Sequence, residues 1–414
     1  MRIAFHSPGS PGHVNPMTAL ARRLQRRGHE VVFLALEDNM AAFEAAGVKA
    51  VEYHSRLFPP GEYSRRRQAL SRLRGREATE ASWELHRNLI EAVFEGGVRV
   101  LNECGADTLV TDEVSSGFDI VASHLSLPFF LVSSALHADM SGYTPLCVYD
   151  WPYETGPNAR ERYRRGVRDF IRSSGLMDLL PICMERAGLP LELIMRSRAL
   201  AHLHQVPKEF DFPSGHWPAN FYYCGPLIDI EARQQVAFPW ERLTGEPLIY
   251  ASLGTLQDLP DILQTIIQAV AAPGRQLVIA TVSDANSGEL GAMPENTIVW
   301  SRAPQLEILK RSALCITHAG LNTALESLYH GVPMVAIPIT FDQPGVAARI
   351  AYSGTGEFIP LQDFTRDRLR GCVEQVLAMG SRYREKARKL QQAIQSSDGV
   401  NRAADVVEEK MRNL

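Results

Sequence analysis

Apolar residues along this chain fall into two patterns: short unbroken runs, and longer stretches where they recur every three or four positions. The runs at 2–5 (RIAF) and 30–36 (EVVFLAL) have the character of buried strands. Between them Met17, Leu20, Ala21 and Leu24 share one helical face, with Arg22, Arg23, Arg26 and Arg27 around the rest. Gly28 ends that helix, since glycine adopts the left-handed conformation at little cost. Strand, loop, helix, strand is one βαβ unit of a parallel sheet. The pattern continues with a helix over 98–104 broken at Gly105 and a strand over 108–111 running out at Asp112. A helix near 116–124 and a strand over 129–132 follow.

A second series begins after Pro239-Trp240-Glu241. The run 247–254 predicts a strand and a glycine turn, followed by a helix over 262–270 and strands over 276–281, 297–300 and 313–317. A helix over 322–329, closed by His330-Gly331, leads to a strand over 332–337. The fold class expected is therefore α/β, with two Rossmann-like, doubly wound parallel-sheet domains. At 414 residues the chain is too long for one typical core, which agrees. The Pro-, Gly- and aromatic-rich segment 207–246 reads as the passage between domains, with a boundary near 225. A last helix over 382–412 carries a break near Ser396-Ser397-Asp398-Gly399. The region 140–200 shows no clean periodicity, and 65–76 holds six arginines in twelve positions, read as a solvated helix face.

Composition narrows the class. With 45% hydrophobic and 22% charged residues and a net charge of -4, the chain gives no electrostatic reason to expect nucleic acid. The six cysteines stand singly, without a CxxC pair, which argues against a zinc knuckle or a disulfide scaffold and fits a reducing cytosol. No apolar run is long enough for a membrane span and none forms a signal helix at the start; peripheral membrane contact is left open, as is monomer or homodimer.

The loop GSPGHV after the first strand is not a GxGxxG, no such motif follows another strand, and there is no GxxxxGK[ST]. The informative segment is THAGLNTALESLYHGVPMVAIPITFDQPGVAARI, 317–350. His318 and Gly320 lie where a strand passes into a helix, and a helix N-terminus offers unpaired N–H groups to phosphate. Asn322 and Thr323 add donors in the first turn. Glu326, one turn beyond Asn322, is suited to accept hydrogen bonds from a sugar diol, and Asp342 and Gln343 follow the next strand. Together they suggest a pocket for a phosphate-bearing, polyhydroxylated molecule.

This segment, with SRAPQLEILKRSALCITHAG ahead of it and the SLGT turn, resembles the nucleotide-sugar signature of the family-1, UDP-dependent glycosyltransferases. The resemblance spans essentially the whole chain, and FDQPGVAARIAYSGTGE is most similar to bacterial carotenoid (zeaxanthin) and natural-product glucosyltransferases. It implies the GT-B fold, two such domains facing across a cleft. Residues 1–225 would bind the acceptor, 226–395 the nucleotide sugar, and 396–414 would form a helix packing back toward the N-terminal domain. It implies that His318, Asn322 and Thr323 bind the diphosphate, Glu326 the ribose, and Asp342 and Gln343 the donor sugar. Gly254 and Thr255 would approach the phosphates from across the cleft. Ala303 would meet the base edge through its backbone, with Gln305 near the nucleoside. Arg302 stands where plant members stack a tryptophan on uracil; its guanidinium plane can also stack, and the base is left open between uracil and thymine.

His13 resembles the family's catalytic base and Asp112 its orienting carboxylate. Each ends an N-domain strand, so the pair could meet although 99 residues apart. A hydroxyl is a poor nucleophile, and an imidazole near neutral pH can take its proton while a carboxylate fixes the tautomer. The activity implied is inverting transfer of a hexose, glucose foremost, from a UDP-sugar to a hydroxyl of a small hydrophobic natural product. No cofactor or metal is implied beyond the UDP-sugar co-substrate. A nucleotide-sugar epimerase and a non-catalytic nucleotide-sugar-binding protein are the alternatives; the first leaves His13 and Asp112 without a task.

Overall fold

The computed structural model describes all of residues 1–414 except 72, 74, 115–116, 195–197, 234–235, 255–258, 282–289 and 291–292, and the side chains of 75, 76, 79, 176, 193 and 194. Seven parallel strands form the first sheet: β1 (Arg2–His6), β2 (Glu30–Ala35), β3 (Lys49–Glu52), β4 (Thr108–Asp112), β5 (Phe129–Ser133), β6 (Ala201–His204) and β7 (Phe221–Tyr223). Their order is β3-β2-β1-β4-β5-β6-β7. The second sheet holds β8 (Leu248–Ser252), β9 (Gln276–Thr281), β10 (Thr297–Ser301), β11 (Ser312–Thr317), β12 (Met334–Ala336) and β13 (Gly356–Phe358), in the order β10-β9-β8-β11-β12-β13. Both sheets are the doubly wound arrangement that the alternating pattern predicts.

Strands covered on both faces need apolar residues at every position, and β1 shows it. Ile3 and Phe5 enter the core beneath the first helix, Pro11–Arg26, while Ala4 faces the opposite core with Tyr53 and Phe118.

Each sheet reverses its winding at its first strand. In the first, β1 lies between β2 and β4, with His6 opposite Thr111. In the second, β8 lies between β9 and β11, with Ser252 opposite Thr317. The residues after β1 and β4, and after β8 and β11, are therefore neighbours at the switch points where open α/β sheets bind ligands.

Beyond β3, β6, β7 and β13, which the periodic reading does not include, three regions differ from it. The stretch 98–104 is only the end of a 30-residue helix, Gly75–Cys104. The expected strand over 332–337 is regular only at Met334–Ala336. Within 140–200 stand two helices, Pro157–Ser174 and Leu176–Arg186. The first is arginine-rich and buries only Ala159, Tyr163, Gly166, Val167 and Ser174, too thin an apolar stripe to register as a period.

The last helical stretch divides at Asp398, whose φ of +45° turns the chain between helices Arg382–Ser397 and Gly399–Arg412. Ala387, Leu390 and Ile394 pack into the core of the second sheet. Val400, Ala403, Ala404, Val406 and Val407 pack into that of the first. Arg27 ties this final helix to the first one through Asp405 at 2.7 Å and Glu408 at 3.0 Å. The two chain crossings lie side by side: a Cβ on Gly399 would come within 2.5 Å of the Gly225 and Pro226 carbonyls. Among the described residues no helix is long and apolar enough to cross a membrane.

Candidate active site between the two sheets

β1 ends in a loop that enters the first helix at Pro11, and His13 lies in its first turn, its amide bonded to Ser10 O at 2.8 Å. Asp112 closes β4, the hydrogen-bonded neighbour of β1, so the two come together: His13 Nδ1 is 2.8 Å from Asp112 Oδ2. The other carboxylate oxygen accepts from Val114 N at 3.1 Å. The Asp112 side chain is fully buried and that of His13 is 20% exposed, so the imidazole's other nitrogen is the one left to face the cleft. Burial opposes a charge on His13, but the charge and hydrogen bond of Asp112, aided by Asp342 across the cleft, outweigh it. His13 therefore titrates above its ordinary value, with the nearby Arg67 pulling the other way.

On the second sheet, His318 follows β11 and Gly254 follows β8. Both Gly254 and Gly320 make room for the His318 ring: a Cβ on either would approach it to 2.6 Å or less. Gly254 also has a φ of +78°, so its turn needs glycine twice over. Burial holds the His318 imidazole down to about 4, a neutral ring near pH 7, and among the described residues its Nδ1 has no partner. Arg302, Ala319 and Phe341, all non-glycine residues with positive φ, lie just beyond β10, β11 and β12, so backbone strain gathers at this rim.

Helix Leu321–Tyr329 carries Asn322, Thr323 and Glu326. Glu326 is buried and doubly held: Gln305 Nε2 donates to Oε2 at 2.6 Å, and Arg233 pairs with Oε1. Tyr250 OH donates to Gln305 Oε1 at 3.0 Å, fixing the amide orientation, and Gln305 Nε2 also lies 3.4 Å from Thr323 Oγ1. Ala303 packs partly buried against the second-sheet core, and Arg302 is exposed beside it. Thr255 lies outside the described residues.

The two halves meet directly here. Asn322 Nδ2 donates to Gly12 O, next to His13, and Asp342 Oδ2 accepts from Leu136 N at 2.8 Å. Burial raises the Asp342 carboxyl, against the Leu136 hydrogen bond and the pull of His13. Gln343 accepts from Ile339 N and Thr340 N at 2.8 and 2.9 Å, which shapes the loop ahead of it.

Three participants carried no motif. Gln205, just past β6, donates to Ser134 O at 2.6 Å and to Asn322 Oδ1 at 3.1 Å. Arg233 reaches Glu326 from the interdomain passage. Arg349 crosses to Asp211 at 2.7 Å with both side chains buried. Only Gln205, at a strand's C-terminal end, carried a positional signal. Among the described residues no group of three or more His, Cys, Asp or Glu is placed to hold a metal.

Two doubly wound sheets facing one cleft, each with its switch point opening into it, define the GT-B class of nucleotide-sugar transferases. Residues 190–411 match the family described as UDP-glucoronosyl and UDP-glucosyl transferase, and 3–102 match the glycosyltransferase family 28 N-terminal domain. The chain is 30% identical to the zeaxanthin glucosyltransferase of Pantoea ananas, over 99% of this chain and 96% of that one. It is 29% identical to that of Pseudescherichia vulneris, over 98% and 97%. The solved structure of CalG4, the calicheamicin glycosyltransferase, shares the fold with a TM-score of 0.73 at 21% identity, over 100% of this chain and 98% of that one. The chain belongs to the UDP-glucosyl transferase family and is a UDP-sugar-dependent glycosyltransferase.

Proposed function

We propose that the enzyme transfers a hexose, glucose foremost, from a UDP-sugar to a hydroxyl of a small hydrophobic natural product, with inversion and with His13 as base. The observation that carries this is the His13–Asp112 pair at 2.8 Å, held beside the donor helix by the Asn322–Gly12 hydrogen bond. The acceptor O–H proton passes to Nε2 of His13 while Asp112 holds the proton on Nδ1 and stabilises the imidazolium. The acceptor oxygen forms its bond to the anomeric carbon as the bond to the diphosphate oxygen breaks on the opposite face.

Charge developing on the diphosphate meets the N-terminus of helix Leu321–Tyr329 and a neutral His318, which acts as a hydrogen-bond donor rather than a cation. In this reading Asn322 and Thr323 also serve the diphosphate, Glu326 the ribose, and Asp342 and Gln343 the sugar. Arg302 and Ala303 border the base. Residues 1–225 receive the acceptor and 226–395 the donor, with 396–414 returning to the first domain. The relatives named for zeaxanthin make a carotenoid diol the first acceptor to try. UDP-glucose incubated with zeaxanthin and a panel of phenols and polyketides, read by mass spectrometry, should yield a glycoside and UDP. Interconverted nucleotide sugar without glycoside would sink the proposal, as would donor binding without turnover.

A further inference from the structure

Arg233 stands apart from the arginines of the surface. It ends a short strap, 229–233, anchored on the first domain by Arg22 to Asp229 at 3.1 Å and by Arg26 to Glu231 at 2.7 Å. Asp229 also accepts from the backbone N–H groups of Glu231 and Ala232 at 3.1 and 3.2 Å, which fixes the strap's turn. From there the guanidinium reaches across to Glu326 of the second domain. A guanidinium carries five N–H donors. Among the described residues Glu326 is the only side chain placed on Arg233, through one nitrogen and one carboxylate oxygen.

The place it occupies matters. Side chains on a helix lean toward its N-terminus, so the Glu326 carboxylate sits back over the first turn. The 3.4 Å approach of Gln305 Nε2 to Thr323 Oγ1, while the same nitrogen bonds Glu326, bears this out. The Arg233 guanidinium is therefore beside the end of the helix where a diphosphate would lie. A diphosphate arriving next to the buried Glu326 carboxylate meets like-charge repulsion, and His318, being neutral near pH 7, does not offset it. Withdrawing Arg233 to admit the nucleotide would leave Glu326 as an uncompensated buried charge, a costly state. Keeping it in place satisfies both anions.

We propose that Arg233 is a donor-binding residue, bridging Glu326 and the nucleotide's diphosphate while Glu326 receives the ribose hydroxyls. The inference rests on the donor-site reading given above. It assigns the strap a function: seating the donor draws both domains onto one guanidinium.

The test compares UDP with uridine, which lacks the phosphates, on wild type, Arg233→Gln, Arg233→Lys and Glu326→Gln, by calorimetric and NMR titration. Arg233→Gln should weaken UDP by roughly tenfold or more, the scale of one charge-assisted hydrogen bond, and leave uridine within about twofold. Arg233→Lys should restore part of the UDP affinity, since the charge survives without the fork. Equal losses for UDP and uridine would reduce Arg233 to a support for Glu326 and overturn the inference. Tighter binding of either ligand would make it a latch and overturn it too. If Arg233→Gln does not fold, Arg233→Lys decides by the same comparison. Failure of the donor-site reading looks different: Glu326→Gln would leave uridine binding unchanged, or wild type would bind neither ligand.

Discussion

Opposing influences act on the imidazole of His13: burial lowers its proton affinity, and Asp112 with Asp342 more than restores it. A base must be unprotonated to act, so kcat/KM should fall as pH drops through a His13 value above the ordinary 6.5. Asp112→Asn removes the leading stabiliser of the imidazolium. Its pH–rate profile should therefore shift its acid limb to lower pH, with a lower plateau; an unmoved limb would dissociate Asp112 from the base. His13→Ala should lose O-transfer by at least about 100-fold while UDP affinity, measured by calorimetry, stays close to wild type. Gly320→Ala isolates a different demand. Its φ of −61° suits alanine, but the added carbon would lie 2.5 Å from His318 Nε2. Donor affinity should drop with little change in thermal midpoint. Strand-end positions and the signature made His13, Asp112, His318 and Glu326 legible at this scale. Gln205 carried only its place at a strand end, and Arg233 carried no signal, because a long polar side chain in a loop looks the same whether it meets solvent or a buried partner.

The βα units are the element on which sequence spoke most plainly, since a parallel strand needs a continuous apolar run and its crossover helix an apolar stripe. The arginine-rich helix Pro157–Ser174 escapes a periodic reading because its contact face is small. Helix Gln343–Ser353 shows what periodicity does not reveal. It begins at the proposed sugar-binding residues, and its Arg349 passes into the other domain to pair with Asp211, stacking its guanidinium 4.2 Å over Phe212. Burial pushes the Asp211 carboxyl up, but Arg349, His204 and the Tyr223 hydroxyl hold it below its ordinary 3.8. The pair's contribution is thus present above that value and lost as pH falls through the lower folded-state value. Arg349→Met strands the carboxylate and should cost about 3–5 kcal/mol at neutral pH, read by denaturant unfolding. With the cation gone, burial pushes Asp211 up, so protonation relieves the stranded charge and the deficit against wild type should shrink as pH falls.

Over the whole molecule, the chain's last fourteen helical residues complete a core that its first residues begin. Ending the chain at Ser397 would uncover the surface that Val400, Val406 and Val407 cover. Each buried valine contributes roughly 1.5–3 kcal/mol, and three together rival the 5–15 kcal/mol of a typical domain. The truncated protein should lose solubility and bind hydrophobic dye; a soluble, cooperatively folding product would contradict this. Sequence alone determined the two parallel-sheet domains, most of their strands and the residues at those strands' ends, because periodicity and turn chemistry are local; β3, β6, β7 and β13 are too short to register. It could also carry the family signature, because helix Leu321–Tyr329 and the loop before it lie within one contiguous segment. Only the tertiary structure decided that Asn322 rests on the carbonyl beside His13, that Arg233 reaches Glu326 and that Arg349 meets Asp211. Each of these contacts joins residues at least 90 positions apart across two separately wound sheets, and their meeting is set by how the domains pack, which no local pattern encodes.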